Sequence, residues 1–473
     1  MSGHAEMEEL LKKQRARFFA KIKNSTAKER IEKLDLIKTW IVENQSAIQT
    51  AMIADFRRPE SEILLSEITP LLLEIDHLKS NLSEWMNTRW VPSHLFFLGT
   101  RSRIIYEPLG VCLIFVPWNF PFYLAVGPLV SAIAAGNCAI LKPSEFTPNT
   151  ADVLHMMISE LFDDEEISLQ GGNVEVAESL LKLPVDHIFF TGSPENGKKV
   201  MAAAANNLTS VTLELGGRNP AIVDETANLK DAAQKMIWGK FLNAGQACVA
   251  PNYVFVHETI KDAFHEQLKA AFSKIFITET GSMADCPDFG RIVNTTHYNR
   301  ISTLLLRTLD AGADVVIGGE MNEDEHYISP TILKNVTPEM PVMQEEIFGP
   351  VLPLLSYKNI DDVFEYINQQ EKPLSFYYFS RKRKKIKKAL DATSSGSACI
   401  NEISLVFAQP ELPFGGVNHS GHGKAHGYSG FLAFSNERAV LKQRRGFTGM
   451  KLFYPPYTRR VKKMTSWLIR YLT

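Results

Sequence analysis

The sequence predicts an α/β protein: a helical amino-terminal segment followed by two successive units of alternating strand and helix. Three observations lead there. At 473 residues the chain exceeds one ordinary core and calls for two or three domains. Short apolar runs are each followed by a helix-compatible stretch, the alternation of a doubly wound sheet. Past Gly217 that alternation starts again, which marks a second α/β unit.

Taken in order, residues 1 to about 90 read as helices, with Leu10, Leu11, Phe18, Ile22, Ile31, Leu34 and Ile37 at three- and four-residue steps between charges. From Arg101 the pattern turns to strand: RSRIIYEPLGVCLIFVP alternates, then becomes continuously apolar as a buried parallel strand does. No Asp, Glu, Lys or Arg occurs from Leu109 to Leu141, a length that could span a bilayer. Pro117, Pro121, Pro128 and Asn119 interrupt it, so a buried strand, a polar loop and an Ala/Gly-rich helix are expected instead. AILKP (139–143) and HIFFTG (187–192) continue the first unit. AIVD (221–224), YVFVH (253–257), DVVIGG (314–319) and FYYFS (376–380) are the strands expected of the second. The basic run RKRKKIKK (381–388) has no interleaved aromatics and follows a strand, so it reads as a solvated helix face.

Composition excludes several functions. Hydrophobic residues at 45% and charged residues at 22% suit a soluble globular enzyme. A formal net charge of −2 gives no electrostatic reason to bind nucleic acid. Five scattered cysteines form neither a disulfide framework nor a CxxC zinc site, and a reducing cytoplasm is the natural compartment. The charged amino terminus lacks the apolar core of a secretory signal. His419, His422 and His426 sit among Gly421, Gly423 and Gly427, so a loop is expected there and no metal.

The chemistry centres on Cys248, in FLNAGQACVAPNY (241–253), where small flanking residues leave room beside the sulfur. Upstream, VTLELGGRNPAIV (211–223) holds one acid, Glu214, in an apolar run; a carboxylate there is costly unless paired or put to work. Cysteine plus a basic carboxylate is the outline of covalent catalysis through a thioester. Asn119 offers amide donors of the kind a developing oxyanion requires, or else fixes its turn. Gly192 and Gly197 close a strand and open a helix, where backbone N–H groups and the helix dipole favour a pyrophosphate, although G-x-x-x-x-G is not the usual dinucleotide spacing. Lys142 and Glu145, in LKPSE, follow an apolar strand, where parallel sheets bind ligands, or form a surface ion pair.

The Glu214 and Cys248 segments resemble the two signature motifs of the NAD(P)-dependent aldehyde dehydrogenase superfamily. The likeness continues, in the family's order, through 115–145, 187–200, QEEIFGPVLPLL (344–355) and LPFGGVNHSGHG (412–423). PWNFPFYL, NAGQACVAP and the closing YPPY (454–457) are closest to the class-three branch, which includes coniferyl-aldehyde and fatty-aldehyde dehydrogenases. The resemblance implies a Rossmann-type cofactor domain (1–89 and 108–216), an α/β catalytic domain (217–430), a small β bridging element (90–107 and 431–450) and a tail (451–473). It implies Cys248 as nucleophile, Glu214 as deacylating base and Asn119 as oxyanion donor. Cofactor contacts fall on Trp118, Lys142, Glu145, Gly172, Gly192, Ser193, Gly197, Glu346 and Phe348. Glu145 would accept from the ribose and repel a 2′-phosphate, which favours NAD while leaving NADP open. Arg218-Asn219 departs from the Lys-Ser common after the double glycine.

The expected activity is oxidation of an aromatic or medium-to-long aliphatic aldehyde to its acid, by a homodimer. Two other readings compete: a reductase transferring the acyl group to coenzyme A, against which Glu214 speaks, and a non-catalytic protein on the same fold, against which the complete set of positions speaks. Tyr123, Leu124 and Phe407 are candidates for the pocket wall, or core packing. In the tail, Trp467, Leu468, Ile469, Tyr471 and Leu472 are too few to span a bilayer, and the surrounding basic residues suit docking on the partner subunit or peripheral contact with an anionic membrane.

Overall fold

In a computed structural model, residues 2–93, 97, 99–276, 283–446 and 448–472 are described, the side chains of residues 2, 3 and 472 excepted. Helices Ser2–Ala20, Ala27–Glu43, Gln45–Phe56 and Thr69–Trp85 make up most of the first 90 residues. The second opens on a capping box, Thr26 with Glu29, and buries Leu34, Ile37 and Ile41. That stripe packs against helix Tyr123–Ala135, which is buried along almost its whole length.

The first sheet has six strands in the order Gly421–His422, Ser210–Leu215, His187–Gly192, Val111–Phe115, Cys138–Lys142, Ile167–Leu169. The last five are mutually parallel and Gly421–His422 is antiparallel, with Gly421 opposite Glu214. The charge-free stretch resolves as expected into strand Val111–Phe115, a loop and helix Tyr123–Ala135. Pro128 differs from expectation, because it lies inside that helix and does not end it. Packing against helices Ala27–Glu43, Thr69–Trp85 and Gly427–Ala433 holds the helix together there, whereas Pro117 and Pro121 fall in the loop. Among the described residues no helix is long and apolar enough to cross a membrane.

The second sheet has seven strands, Asp314–Ile317, Thr331–Lys334, Val351–Tyr357, Tyr253–His257, Pro220–Val223, Ser375–Phe379 and Ser397–Ile400, parallel except for the first. A third sheet joins Arg89–Val91, Thr100–Pro108 and Ser435–Gln443, the latter two paired over nine residues. Helix Gly427–Ala433 returns to the first sheet, where Phe434 stacks on Phe189 at 5.6 Å. The basic run lies in helix Arg383–Ala392, directly after strand Ser375–Phe379. Helix Arg459–Leu472 closes the chain with Trp467, Ile469 and Tyr471 exposed; Thr473 and the Leu472 side chain lie outside the described residues.

Candidate active site

All the expected cofactor residues of the first sheet gather at the carboxyl ends of its parallel strands. Val111–Phe115 leads to Trp118 and Asn119, Cys138–Lys142 to Glu145, Ile167–Leu169 to Gly172, and His187–Gly192 to Ser193. Open α/β sheets bind ligands in such a crevice. Ser193 caps helix Pro194–Ala205 by accepting from the Asn196 N–H at 3.3 Å, which aims the helix amino terminus at the crevice. Gly197 is required for packing: a Cβ there would stand 2.8 Å from Leu215 Cδ2. Gly172 has φ +122°, a left-handed conformation that favours glycine. Lys142 is buried, donates to the Pro143 carbonyl at 2.7 Å and faces Glu145 at 3.8 Å. Burial lowers its ammonium pKa against the pull of Glu145. The buried Thr191 hydroxyl, in strand His187–Gly192, has no partner among the described residues and faces the pocket that holds Cys248. Hydroxyl-binding groups and a helix amino terminus in one crevice fit a dinucleotide.

The cysteine loop is built from unusual backbone. Asn243, Ala244 and Gly245 follow one another at φ 51°, 51° and 75°, a run of left-handed residues that persists only where surroundings enforce it. A Cβ on Gly245 would lie 2.3 Å from the Gly349 carbonyl, so the loop presses on the segment carrying Glu346 and Phe348. Gln246 ties it down on two sides, donating to Asn243 and Arg291 carbonyls at 3.0 Å each and accepting from Val293 N–H at 3.1 Å. Asn219 Nδ2 donates to the carbonyls of Cys248 and Ala250 at 2.6 and 3.0 Å. Asn119 Nδ2 donates to the Gln246 carbonyl at 3.1 Å, and its second hydrogen remains for another acceptor.

The Cys248 thiol and two carboxyls near it are shifted toward their neutral forms. Burial is the main cause for each. Cys248 is pushed up to about 12, with the nearby Glu346 and Glu214 adding to the effect, while the N–H groups of Cys248 and Val249 pull the other way. Glu214 rises well above the usual carboxylate range, and the Lys424 charge opposes this. Neither Glu214 oxygen has a hydrogen-bond partner among the described residues. Glu346 rises to about 7, opposed by the Gly217 N–H, Arg300 and Lys240. A Cβ on Gly216 would lie 2.1 Å from Glu346 Oε2, so the double glycine admits this carboxyl to the crevice. Trp118 packs edge-on to Phe348 at 5.3 Å and tilts over His297 at 4.8 Å.

An apolar pocket joins Cys248 to Glu214. Phe120, Tyr123, Leu124, Phe407 and Phe434 line it, together with Gly127 of helix Tyr123–Ala135. Tyr123 Oη meets His426 Nε2 at 3.1 Å, and His426, lowered to about 4 by burial, stacks on Phe414 at 5.2 Å. His419 lies 3.7 Å from Glu371 and His422 is in the two-residue strand beside Leu213, so the three histidines go separate ways.

The structure thus brings Cys248, Glu214 and Asn119 together, and sets the expected cofactor residues along one crevice. Sequence reasoning missed Asn219, Asn243, Gln246 and Lys424. The signal was present for two of them: Asn243 and Gln246 interrupt a stretch of small and apolar residues, as Glu214 does.

Residues 1–440 match the aldehyde dehydrogenase family. The chain is 43% identical over 441 residues to the 4,4'-diaponeurosporen-aldehyde dehydrogenase of Staphylococcus aureus, covering 93% of each. It is 40% identical over 440 residues to aldehyde dehydrogenase family 3 member A2 of Mus musculus, covering 90% of this chain and 87% of that protein. A solved structure of the substrate-bound state of Staphylococcus aureus AldH superposes with a TM-score of 0.92 at 40% identity, covering 98% and 99% of the two chains. The chain belongs to the aldehyde dehydrogenase family, is similar to its class-three branch, and is an enzyme that oxidises aldehydes to acids.

Proposed function

We propose that Cys248, Glu214 and Asn119 divide the reaction as nucleophile, base and oxyanion donor. One observation supports this most: a buried carboxyl with both oxygens unpartnered opens into the pocket that holds the cysteine. An isolated buried carboxyl costs several kcal/mol when charged, on the order of the penalty for other buried charges, so its retention points to a task. Sγ of Cys248, its proton lost to solvent, attacks the aldehyde carbon as thiolate, and the former carbonyl oxygen takes the negative charge. The free Asn119 Nδ2 hydrogen and the Cys248 N–H stabilise that oxyanion. NAD, or NADP in its place, supplies when bound the hydride acceptor and a positive charge. Lys142, Glu145 and Gly172 would hold its adenosine half, Gly192, Ser193 and Gly197 its pyrophosphate, and Trp118, Glu346 and Phe348 its nicotinamide half. Glu214 as carboxylate then takes a proton from water, whose oxygen attacks the thioester; the C–S bond breaks and the thiolate is restored.

The aromatic and aliphatic lining of the pocket favours an apolar aldehyde, aromatic or of medium to long chain. The domain division set out from the sequence is retained in this reading. The sheet of Arg89–Val91, Thr100–Pro108 and Ser435–Gln443 leaves edge groups of an exposed strand for pairing, which supports a homodimer, and the five free cysteines fit a reducing cytoplasm. The exposed face of helix Arg459–Leu472 docks on the partner in this reading, and contact with anionic membranes is the alternative. Light scattering and co-sedimentation with anionic vesicles decide these points: a monomer mass removes the dimer, and tail-dependent vesicle binding at physiological salt replaces docking.

The activity is tested by NADH formation from a simple aldehyde, with and without coenzyme A. Acid release independent of coenzyme A is expected, and Cys248→Ala is expected to lose it while still binding NAD. Activity of that variant within tenfold of the parent removes the nucleophile assignment.

A further inference from the structure

We propose that Arg58, clasped by Glu62 and Glu67, is a positioning residue for aldehyde oxidation, setting the cysteine loop and the Asn119 segment at their working separation. The proposal rests on the roles given above to Cys248 and Asn119.

Arg58 is 1% exposed. Its guanidinium uses every face: Nε donates to Glu62 Oε1 at 2.7 Å, Nη1 to Glu67 Oε1, and Nη2 to the Ser66 hydroxyl. Its plane covers the Phe120 ring at 4.4 Å, and Phe120 lines the pocket next to Asn119. The two carboxylates do not stop at the arginine. Glu67 Oε2 accepts the Tyr123 N–H at 2.7 Å, at the start of the helix that follows Asn119. Glu62 Oε1 accepts the Asn243 N–H at 3.0 Å, at the first left-handed residue of the cysteine loop. One cation therefore links two anchors, one on each catalytic segment.

The circuit closes on the far side. Asn243 Nδ2 donates to the carbonyls of Asn119 at 2.7 Å and Gln246 at 3.2 Å. The Phe56 carbonyl, two residues before Arg58, accepts from Arg291 N–H at 3.1 Å, and the Arg291 carbonyl receives Gln246 Nε2. Leu64–Ile68, which carries Ser66 and Glu67, is a π-helical turn between helices Glu60–Ile63 and Thr69–Trp85. Such an insertion is costly and recurs at functional sites. Here it turns Ser66 and Glu67 to the side where Glu62 also meets the guanidinium. A planar fork spans three acceptors where a lysine ammonium would act as a point charge.

Displacements near 1 Å between reacting groups cost about a hundredfold in rate. With enzyme in excess over hexanal and saturating NAD, Arg58→Lys and Glu62→Leu are expected to slow single-turnover NADH formation about ten- to a hundredfold. The number of Cys248 thiols alkylated by iodoacetamide per chain should stay that of the parent, and the KM for NAD should stay within about threefold. Glu62→Gln keeps the Oε1 acceptor and is expected to stay within about threefold of the parent rate. A purely structural role would lower melting temperature and the titratable thiol fraction while leaving the rate per intact site unchanged, and that outcome overturns the proposal. If the Arg58 variant does not fold, the Glu62 pair decides: equal rates in Leu and Gln variants overturn it. A parent enzyme whose NADH formation survives Cys248→Ala overturns instead the reading on which the proposal rests.

Discussion

Gly127 should set how much apolar chain the pocket accepts. It lies in helix Tyr123–Ala135 and lines the pocket beside Cys248, and a Cβ built on it meets nothing within 4 Å. A side chain at this position therefore enters space available to substrate. Each buried methylene contributes about 0.8 kcal/mol. Gly127→Ala adds one carbon and should displace about one methylene of substrate, roughly a fourfold loss. Gly127→Val adds three carbons, and about 2.4 kcal/mol of lost contact corresponds to roughly 60-fold. The assay is the ratio of kcat/KM for decanal to that for propanal, in parent and both variants. The ratio cancels general losses, which matters because a Cβ before Pro128 disfavours helical backbone. A ratio unchanged within twofold in Gly127→Val would refute the reasoning, since the long chain would then have to lie elsewhere.

Glu214→Gln should leave a single turnover of NADH and stop steady-state turnover; stopped-flow traces at the parent steady rate would mean another base. Since burial raises the Glu214 pKa, the carboxylate forms only as pH rises through it, so deacylation should climb with pH beyond the ordinary carboxylate range and that limb should vanish in the variant. Glu145→Gln should raise kcat/KM with NADP relative to NAD on the order of tenfold, by removing a charge opposed to the 2′-phosphate; an unchanged ratio means the ribose contact is misassigned. Glu74 is buried, accepts the Gly427 N–H at 2.7 Å, and is raised to about 7 from 4.5 by burial. Its folded form holds a proton that the unfolded form has lost, so its contribution to stability falls as pH rises from about 4.5 through 7. Glu74→Gln keeps the acceptor, and its melting temperature relative to the parent should rise between pH 5 and 8; a flat difference contradicts the assignment.

Much of this was legible locally. Continuous apolar runs such as HIFFTG and YVFVH became strands His187–Gly192 and Tyr253–His257, because buried parallel strands leave no polar alternation to obscure them. Thr331–Lys334 was missed for its length, and Val351–Tyr357 for its internal Pro353. Glu214 stood out because a charge in an apolar run demands an explanation. Lys240 met the same condition, being fully buried and lowered to about 7 by burial, yet its neighbours in WGKF read as an ordinary helix end. Asn219 drew notice only as a departure, although its side chain spans Cys248, Ala250 and Ser375. The pairing of Gly421 with Glu214 was beyond local reading, since it joins segments about two hundred residues apart. Arg58 pairs locally with Glu62, Ser66 and Glu67, but the onward contacts of the two carboxylates with Tyr123 and Asn243 were equally beyond local reading.

The division of labour between the two sheets explains why these long-range contacts matter. Cys248 arrives on the loop before strand Tyr253–His257 of the seven-stranded sheet, and Glu214 lies in a strand of the six-stranded one. Neither sheet by itself holds both the proposed nucleophile and the proposed base. Asn219 fastens the cysteine loop within its own unit, and across the seam the Gln246 carbonyl accepts from Asn119 while Glu62 accepts from Asn243. Buried polar groups are strongly directional once fully partnered, because the low local dielectric penalises any geometry that leaves one unpaired. The seam satisfies nearly all of its amides and leaves the two oxygens of Glu214 without partners. A network that meets the demands of its scaffold groups, and withholds partners from one carboxyl beside a thiol, keeps that carboxyl available to water. The left-handed run Asn243–Gly245 belongs to the same arrangement: the strain is tolerated where Glu62, Asn119 and Gly349 hold the loop from three sides.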